Sequence, residues 1–209
     1  MLLANKYLLI ITLLILVSTQ KTYAQECYHI NLSKHFNIKL KVSRVSEADS
    51  FPLASTVLVY IIDQETNKEI QSIHIDAEYL FDDVFSNCTA VRSYVTGYNA
   101  DADAMDNDYG DVVVANFNFD DREDLAVKYS SGGNGGPQYN YYIQTEQGGF
   151  KLNEFLTEQM IYFPTEIDAK RKRLINYVHA NALGENMNVY AYNSAKRTWK
   201  FVKRRFRRG

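Results

Sequence analysis

The stretch Asn116-Phe117-Asn118-Phe119-Asp120-Asp121-Arg122-Glu123-Asp124 sets oxygen-bearing side chains at loop positions 1, 3, 5 and 9. A hard cation such as calcium takes six to eight oxygens at about 2.3–2.6 Å. Alternate residues of a tight loop turn their oxygens inward together. Asn116, Asn118 and Asp120 are therefore expected to offer side-chain oxygen, and Arg122 its main-chain carbonyl. Asp124 is expected to close the loop with its carboxylate. Phe117 and Phe119 then face the other way, into a core. Position 1 holds Asn116 where a carboxylate is usual, and position 6 holds Asp121 where glycine is usual. Aspartate tolerates the left-handed backbone needed there better than most residues. With two ligand carboxylates, the expected calcium affinity is about 10⁻⁴ to 10⁻³ M.

Other constellations carry less chemistry. Asp101, Asp103, Asp106, Asp108 and Asp111 precede the loop. Their spacing matches no ion-binding template, so a solvated acidic loop is expected, with Asp111, nearest a strand, as the exception. Gly132–Gly136 lacks the Lys-Ser/Thr ending of a phosphate loop and reads as a turn. His29, His35, His74 and His179 show no paired metal spacing. No G-x-S-x-G occurs. No catalytic or cofactor-binding residue is assigned, and the expectation is a protein that is not an enzyme. Paired glycosidase carboxylates need no local motif, so a secreted glycan hydrolase using the Asp101–Asp111 loop stands as the alternative.

The elements around the loop read as strands. Ile38–Val42 alternates apolar and basic residues, as a half-buried strand does. Thr56–Ile62 is β-branched and aromatic, and pairs across a polar turn with Ile70, Ile73 and Ile75. Val91–Tyr98 reads as a strand, and Ala77–Phe85 as a possible short helix. Val112–Ala115 and Leu125–Tyr129 flank the loop, giving a hairpin over 110–130. Tyr139–Thr145 is aromatic and extended. Asn153 is placed to cap a helix over Asn153–Met160, with Phe155, Leu156 and Met160 on one face. Leu174–Val178, Met187–Tyr192 and Arg197–Val202 complete the pattern. The fold class expected is all-β, built of antiparallel hairpins with at most one or two short helices. A β-sandwich is one architecture such hairpins build.

The chain has 209 residues, 46% hydrophobic and 23% charged, with 16 Tyr, 11 Phe and a net charge of −2. That composition excludes disorder, and its bulk charge excludes a nucleic-acid binder. Lys6, the apolar run Tyr7–Val17 and Thr22-Tyr23-Ala24 read as a signal peptide over residues 1–24. Residues 25–202 then form a single β-rich domain, and 203–209 a basic C-terminal tail. Export to the periplasm or beyond follows, with no integral membrane segment after cleavage. The segment from Lys196 to Gly209 holds eight basic residues and no acidic one. A frayed, solvated end is expected after Val202, with electrostatic contact to an acidic surface such as anionic lipid or polysaccharide as the alternative. An exported chain with two cysteines, Cys27 and Cys88, permits one disulfide, contributing about 3–4 kcal/mol in the chain-entropy model.

The stretch Val114–Val127, with the glycine-rich Ser131–Gly136 behind it, resembles the calcium loop of FG-GAP-type repeats. More closely, Asn116–Tyr142 resembles a family of exported bacterial proteins with one such loop. That family is typified by a periplasmic immunity protein against a lysozyme-like toxin of a type IV secretion system. The resemblance implies a propeller-like fold, bound Ca²⁺ and a protein partner, in particular a lysozyme-like hydrolase that the chain inhibits. Tyr139, Tyr141 and Tyr142 are expected to present an aromatic surface to that partner. An FG-GAP-like adhesion module is the remaining alternative.

Overall fold

The structure is a computed structural model and describes residues 22–45, 55–77 and 79–209. The expected signal peptide lies outside the described residues except at 22–24, whose backbone begins the first strand.

The first sheet is an antiparallel meander of β1 (Thr22–His29), β2 (Phe36–Val45), β3 (Ser55–Asp63) and β4 (Glu69–Ala77). Register explains its stability. Ile38 stands opposite Ile61, Leu40 opposite Val59 and Val42 opposite Val57. Val59 and Val57 in turn meet Ile73 and Ile75. All are buried, so one face is a continuous apolar surface. A one-residue slip would turn it to water.

The second sheet contains β5 (Val91–Ser93), β6 (Val112–Ala115), β7 (Asp124–Gly133), β8 (Gly136–Gln144) and β9 (Phe150–Leu152). β5 and β6 run parallel, and the other neighbours are antiparallel. This sheet is the middle layer. Val112, Val114, Leu125, Val127 and Tyr142 belong to the core shared with the first sheet. Val113, Ala115, Ala126, Tyr139 and Tyr141 belong to a second core. A strand covered on both faces reads as an unbroken apolar run, which is what Val112-Val113-Val114-Ala115 is.

The third sheet contains β10 (Glu166–Asp168), β11 (Arg173–Asn181), β12 (Gly184–Asn193) and β13 (Thr198–Arg208), all antiparallel. Its Leu174, Tyr190 and Trp199 close the second core together with Leu156 and Met160. Those two lie on a short π-helical turn, Phe155–Met160. Its N-cap position is Glu154, one residue after the expected Asn153 and without a side-chain cap bond, while Asn153 Oδ1 accepts the Leu156 N–H at 3.0 Å.

The all-β, antiparallel class with one short helix is as expected. The three sheets are open, and their stacking fits the sandwich alternative, whereas propeller closure is not shown. Four expectations need correction. Tyr139 and Tyr141 are wholly buried and Tyr142 nearly so, because β8 lies in the middle layer. They form no surface for a partner. The chain does not fray after Val202, because β13 pairs with β12 as far as Gly184 opposite Arg208. Val91–Tyr98 is a strand only to Ser93, after which the chain turns and Ser93 accepts the Gly97 N–H. Residues 82–85 form turns rather than a helix.

Cys27 of β1 is bonded to Cys88, with Cα atoms 5.4 Å apart. The bond ties the first sheet's edge to the segment leading into β5.

Candidate functional site

The loop between β6 and β7 draws all five expected cation ligands into one network. Asp120 is its hub. Its main-chain N–H donates to Asn116 Oδ1 at 3.0 Å, and its Oδ1 accepts the Arg122 N–H at 3.0 Å. Its Oδ2 accepts both Asn118 Nδ2 at 2.8 Å and Arg122 Nη2 at 2.7 Å. Asp124 is fully buried at the first position of β7. Its Oδ2 accepts the N–H groups of Phe117 at 2.8 Å and Asn118 at 3.3 Å, and its Oδ1 that of Gln144 at 2.9 Å. Burial nevertheless pushes the Asp124 carboxyl up to about 7, with the nearby Asp120 charge adding to the rise and the three N–H donors opposing it.

The backbone meets the expected demands. Asp121 adopts the left-handed conformation at φ 66°, as its loop position requires. Phe119 is also left-handed at φ 59°, a conformation that costs an aromatic residue about 1–2 kcal/mol. Phe117 is fully buried against Tyr141, with ring centroids 5.2 Å apart. Phe119 is only partly buried and leans towards Trp199 at 6.0 Å.

Whether the loop suits a cation is a question of donors. Among the described residues, no three His, Cys, Asp or Glu side chains converge as a metal cluster. The loop offers two carboxylates, two amide oxygens and a carbonyl instead. Asn118 Oδ1 is buried without a hydrogen-bond partner. An orphaned acceptor beside a buried carboxylate fits a small hard cation, which needs oxygens and no donor. Asn116, Asn118, Asp120, the Arg122 carbonyl and Asp124 are the groups that would hold it. With the chain's own groups alone, Arg122 supplies the positive charge facing Asp120.

Anchors that no local pattern reveals hold the loop in place. Buried Glu123 accepts Ser33 Oγ and the Lys34 N–H, fastening the loop to the β1–β2 connection. Gln144 accepts Arg122 Nε through its carbonyl at 3.3 Å and donates its own N–H to Asp124. The acidic run does not join the site. Asp108 and Asp111 instead meet Lys128, a buried lysine on β7, at 2.8 and 2.9 Å. Asp111, the expected exception, is buried here and also accepts the Phe85 N–H at 2.7 Å. Asp101, Asp103 and Asp106 are exposed.

A cleft of about 970 Å³ opens beside the loop. Asn118, Phe119, Asp120 and Arg122 form one wall, and Tyr192 and Trp199 of the third sheet, with Arg197 in the turn between β12 and β13, another. Lys172 also lines it and donates to Ser194 Oγ at 2.5 Å. Arg197 reaches Glu146 at 2.7 Å on the rim. Phe119 and Lys172 also line a second cleft of about 540 Å³. The strained aromatic of the loop therefore stands between two concave surfaces.

No protein-family model matches the chain, and no curated protein matches it. Among solved structures it is similar to a Xanthomonas type IV secretion system related protein. The two are 16% identical with a TM-score of 0.55, over 90% of this chain and 82% of that one. A likeness of that extent at so low an identity places the chain in the same fold.

Proposed function

We propose that this chain is an exported, non-enzymatic protein-interaction module associated with type IV secretion. In this reading it inhibits, or confers immunity against, a lysozyme-like cell-wall hydrolase. The observation carrying the proposal is the fold likeness to a type IV secretion system related protein across nearly the whole length of both chains. The Cys27–Cys88 disulfide is consistent with an oxidising compartment. Among the described residues, no helix is long and apolar enough to cross a membrane.

In this account the loop binds Ca²⁺ through Asn116, Asn118, Asp120, the Arg122 carbonyl and Asp124. The ion holds the loop wall of the larger cleft in place. The partner docks on that cleft, where Phe119, Tyr192 and exposed Leu152 offer apolar contact. Lys151 and Lys172 offer positive charge at its edge, beside Glu154 and the Arg197–Glu146 ion pair. Glycan hydrolases work through paired carboxylates, so lysines at the cleft's edge are electrostatically suited to their active-site mouths.

The test is turbidity loss of purified peptidoglycan by lysozyme-like enzymes, with and without this protein. The expected result is stoichiometric inhibition, weakened at least tenfold by Phe119→Ala combined with Arg197→Glu, in a variant that still melts cooperatively. Lysis by the protein itself would support the hydrolase alternative. Binding to wall polymer with no effect on lysis would support the adhesion alternative.

A further inference from the structure

The far end of the third sheet carries charge and apolar surface that the cleft does not use. β13 is an edge strand. Its register places Met187 opposite Arg205, Glu185 opposite Arg207 and Gly184 opposite Arg208. Arg205 and Arg208 form no ion pair among the described residues. Arg207 lies 3.8 Å from Glu185 and sits over the Tyr177 ring at 4.8 Å. Three arginines thus stand within four residues, with one carboxylate partly offsetting one of them.

The same end is apolar at its tip. Leu183, in the turn between β11 and β12, is 66% exposed, and Phe206 is 47% exposed. The tip is firmly built. Asn181 Oδ1 accepts the Leu183 N–H at 2.9 Å, and the Leu183 carbonyl accepts the Gly209 N–H at 3.2 Å. Gly184 comes so close to β13 that a Cβ there would lie 1.9 Å from the Arg207 carbonyl oxygen. The arginines are therefore carried on a strand seated against the turn that carries Leu183.

Basic residues alone suffice to protect an edge strand from pairing with other chains. Side chains alternate along β13, so Arg205 and Arg207 leave one face and Phe206 and Arg208 the other, and an end-on approach presents both together with Leu183. Apolar side chains enter the acyl boundary of a bilayer, while guanidinium groups fork onto headgroup phosphates. We propose that this tip, Leu183 and Phe206 with Arg205, Arg207 and Arg208, is a peripheral docking site for a membrane rich in anionic phospholipid. A soluble anionic polysaccharide would satisfy the arginines and leave both apolar side chains without a role. Trp199, in the cleft, is nine residues back along the same strand, about 30 Å away at strand rise. Docking by the tip leaves the cleft free for a partner, and it holds whatever that partner is.

Cosedimentation with vesicles tests this, using protein purified after export. One set of vesicles is phosphatidylglycerol in phosphatidylcholine, and the other is phosphatidylcholine alone. The protein is expected to sediment with the first set only, and less as salt rises. Arg205→Gln and Arg208→Gln should each lower the partition coefficient about fivefold, and Arg205→Lys should restore it. Leu183→Ser with Phe206→Ser should lower it further without a change of charge. All these side chains are exposed, and an unchanged melting temperature confirms folding. Absence of binding to anionic vesicles would overturn the proposal. So would binding that the Leu183→Ser/Phe206→Ser variant retains in full, which would mark a general polyanion surface.

Discussion

Asp124 is where the loop's chemistry becomes measurable. It is buried, and its carboxyl is raised to about 7 from an ordinary value near 3.8. A carboxyl that holds its proton more tightly in the folded state makes stability fall as pH rises. The fall begins near pH 4, where the unfolded carboxyl ionises, and ends just above pH 7. Thermal melts of the metal-free protein should show this slope, and Asp124→Asn should flatten it. Calcium, which favours the ionised form, should flatten it too. A slope unchanged in the variant would mean that other groups cause it. Asp121 offers a second test. It is exposed and left-handed, so Asp121→Gly should raise stability by about 0.5 kcal/mol in urea unfolding. At this scale much was legible in sequence: the alternation of oxygen-bearing and aromatic residues, and the backbone demand at Asp121. The anchors were not. Ser33 and Glu123 are 90 residues apart in the chain, and no local spacing signals their bond.

Among the elements, alternation located the hairpins because a strand with one wet face alternates in burial. It misled where a strand is covered twice. Tyr139, Tyr141 and Tyr142 looked like an aromatic display, yet β8 lies between two cores. Charge also misled. Lys203–Arg208 looks like a solvated end, but its backbone pairs with β12 and Arg204 Nε donates to Asn188 Oδ1 at 2.8 Å. Deleting residues 203–209 should therefore lower stability by about 1–3 kcal/mol, whereas a frayed end would leave the melting temperature unchanged. The parallel β5–β6 pair escaped notice because three residues carry too little pattern. Lys128 was invisible for a similar reason: a lysine in a strand pattern reads as solvent-facing. Lys128→Met leaves Asp111 buried without its cation, and chemical denaturation should show a loss of about 3–5 kcal/mol.

Taken whole, the molecule is three stacked sheets with its polar sites at loops and sheet ends. The disulfide links the first sheet to the chain entering the second, so Cys27→Ser with Cys88→Ser should cost about 3–4 kcal/mol. The all-β class was legible from strand and turn patterning, while the packing of one sheet between two others depends on contacts between distant segments. The cleft belongs to that level as well. Its walls come from the β6–β7 loop and from the third sheet, segments about 80 residues apart that only the stacking brings together. On the proposed function, a calcium ion stiffens the loop wall of this cleft. Thermal unfolding in EDTA, then in millimolar calcium or magnesium, tests it most directly. The expected result is a calcium-selective stabilisation of about 2.7 kcal/mol at 100 times the dissociation constant, lost in Asp120→Ala and in Asp124→Ala. Equal melting in EDTA and calcium, with no metal found in the purified protein, would contradict it.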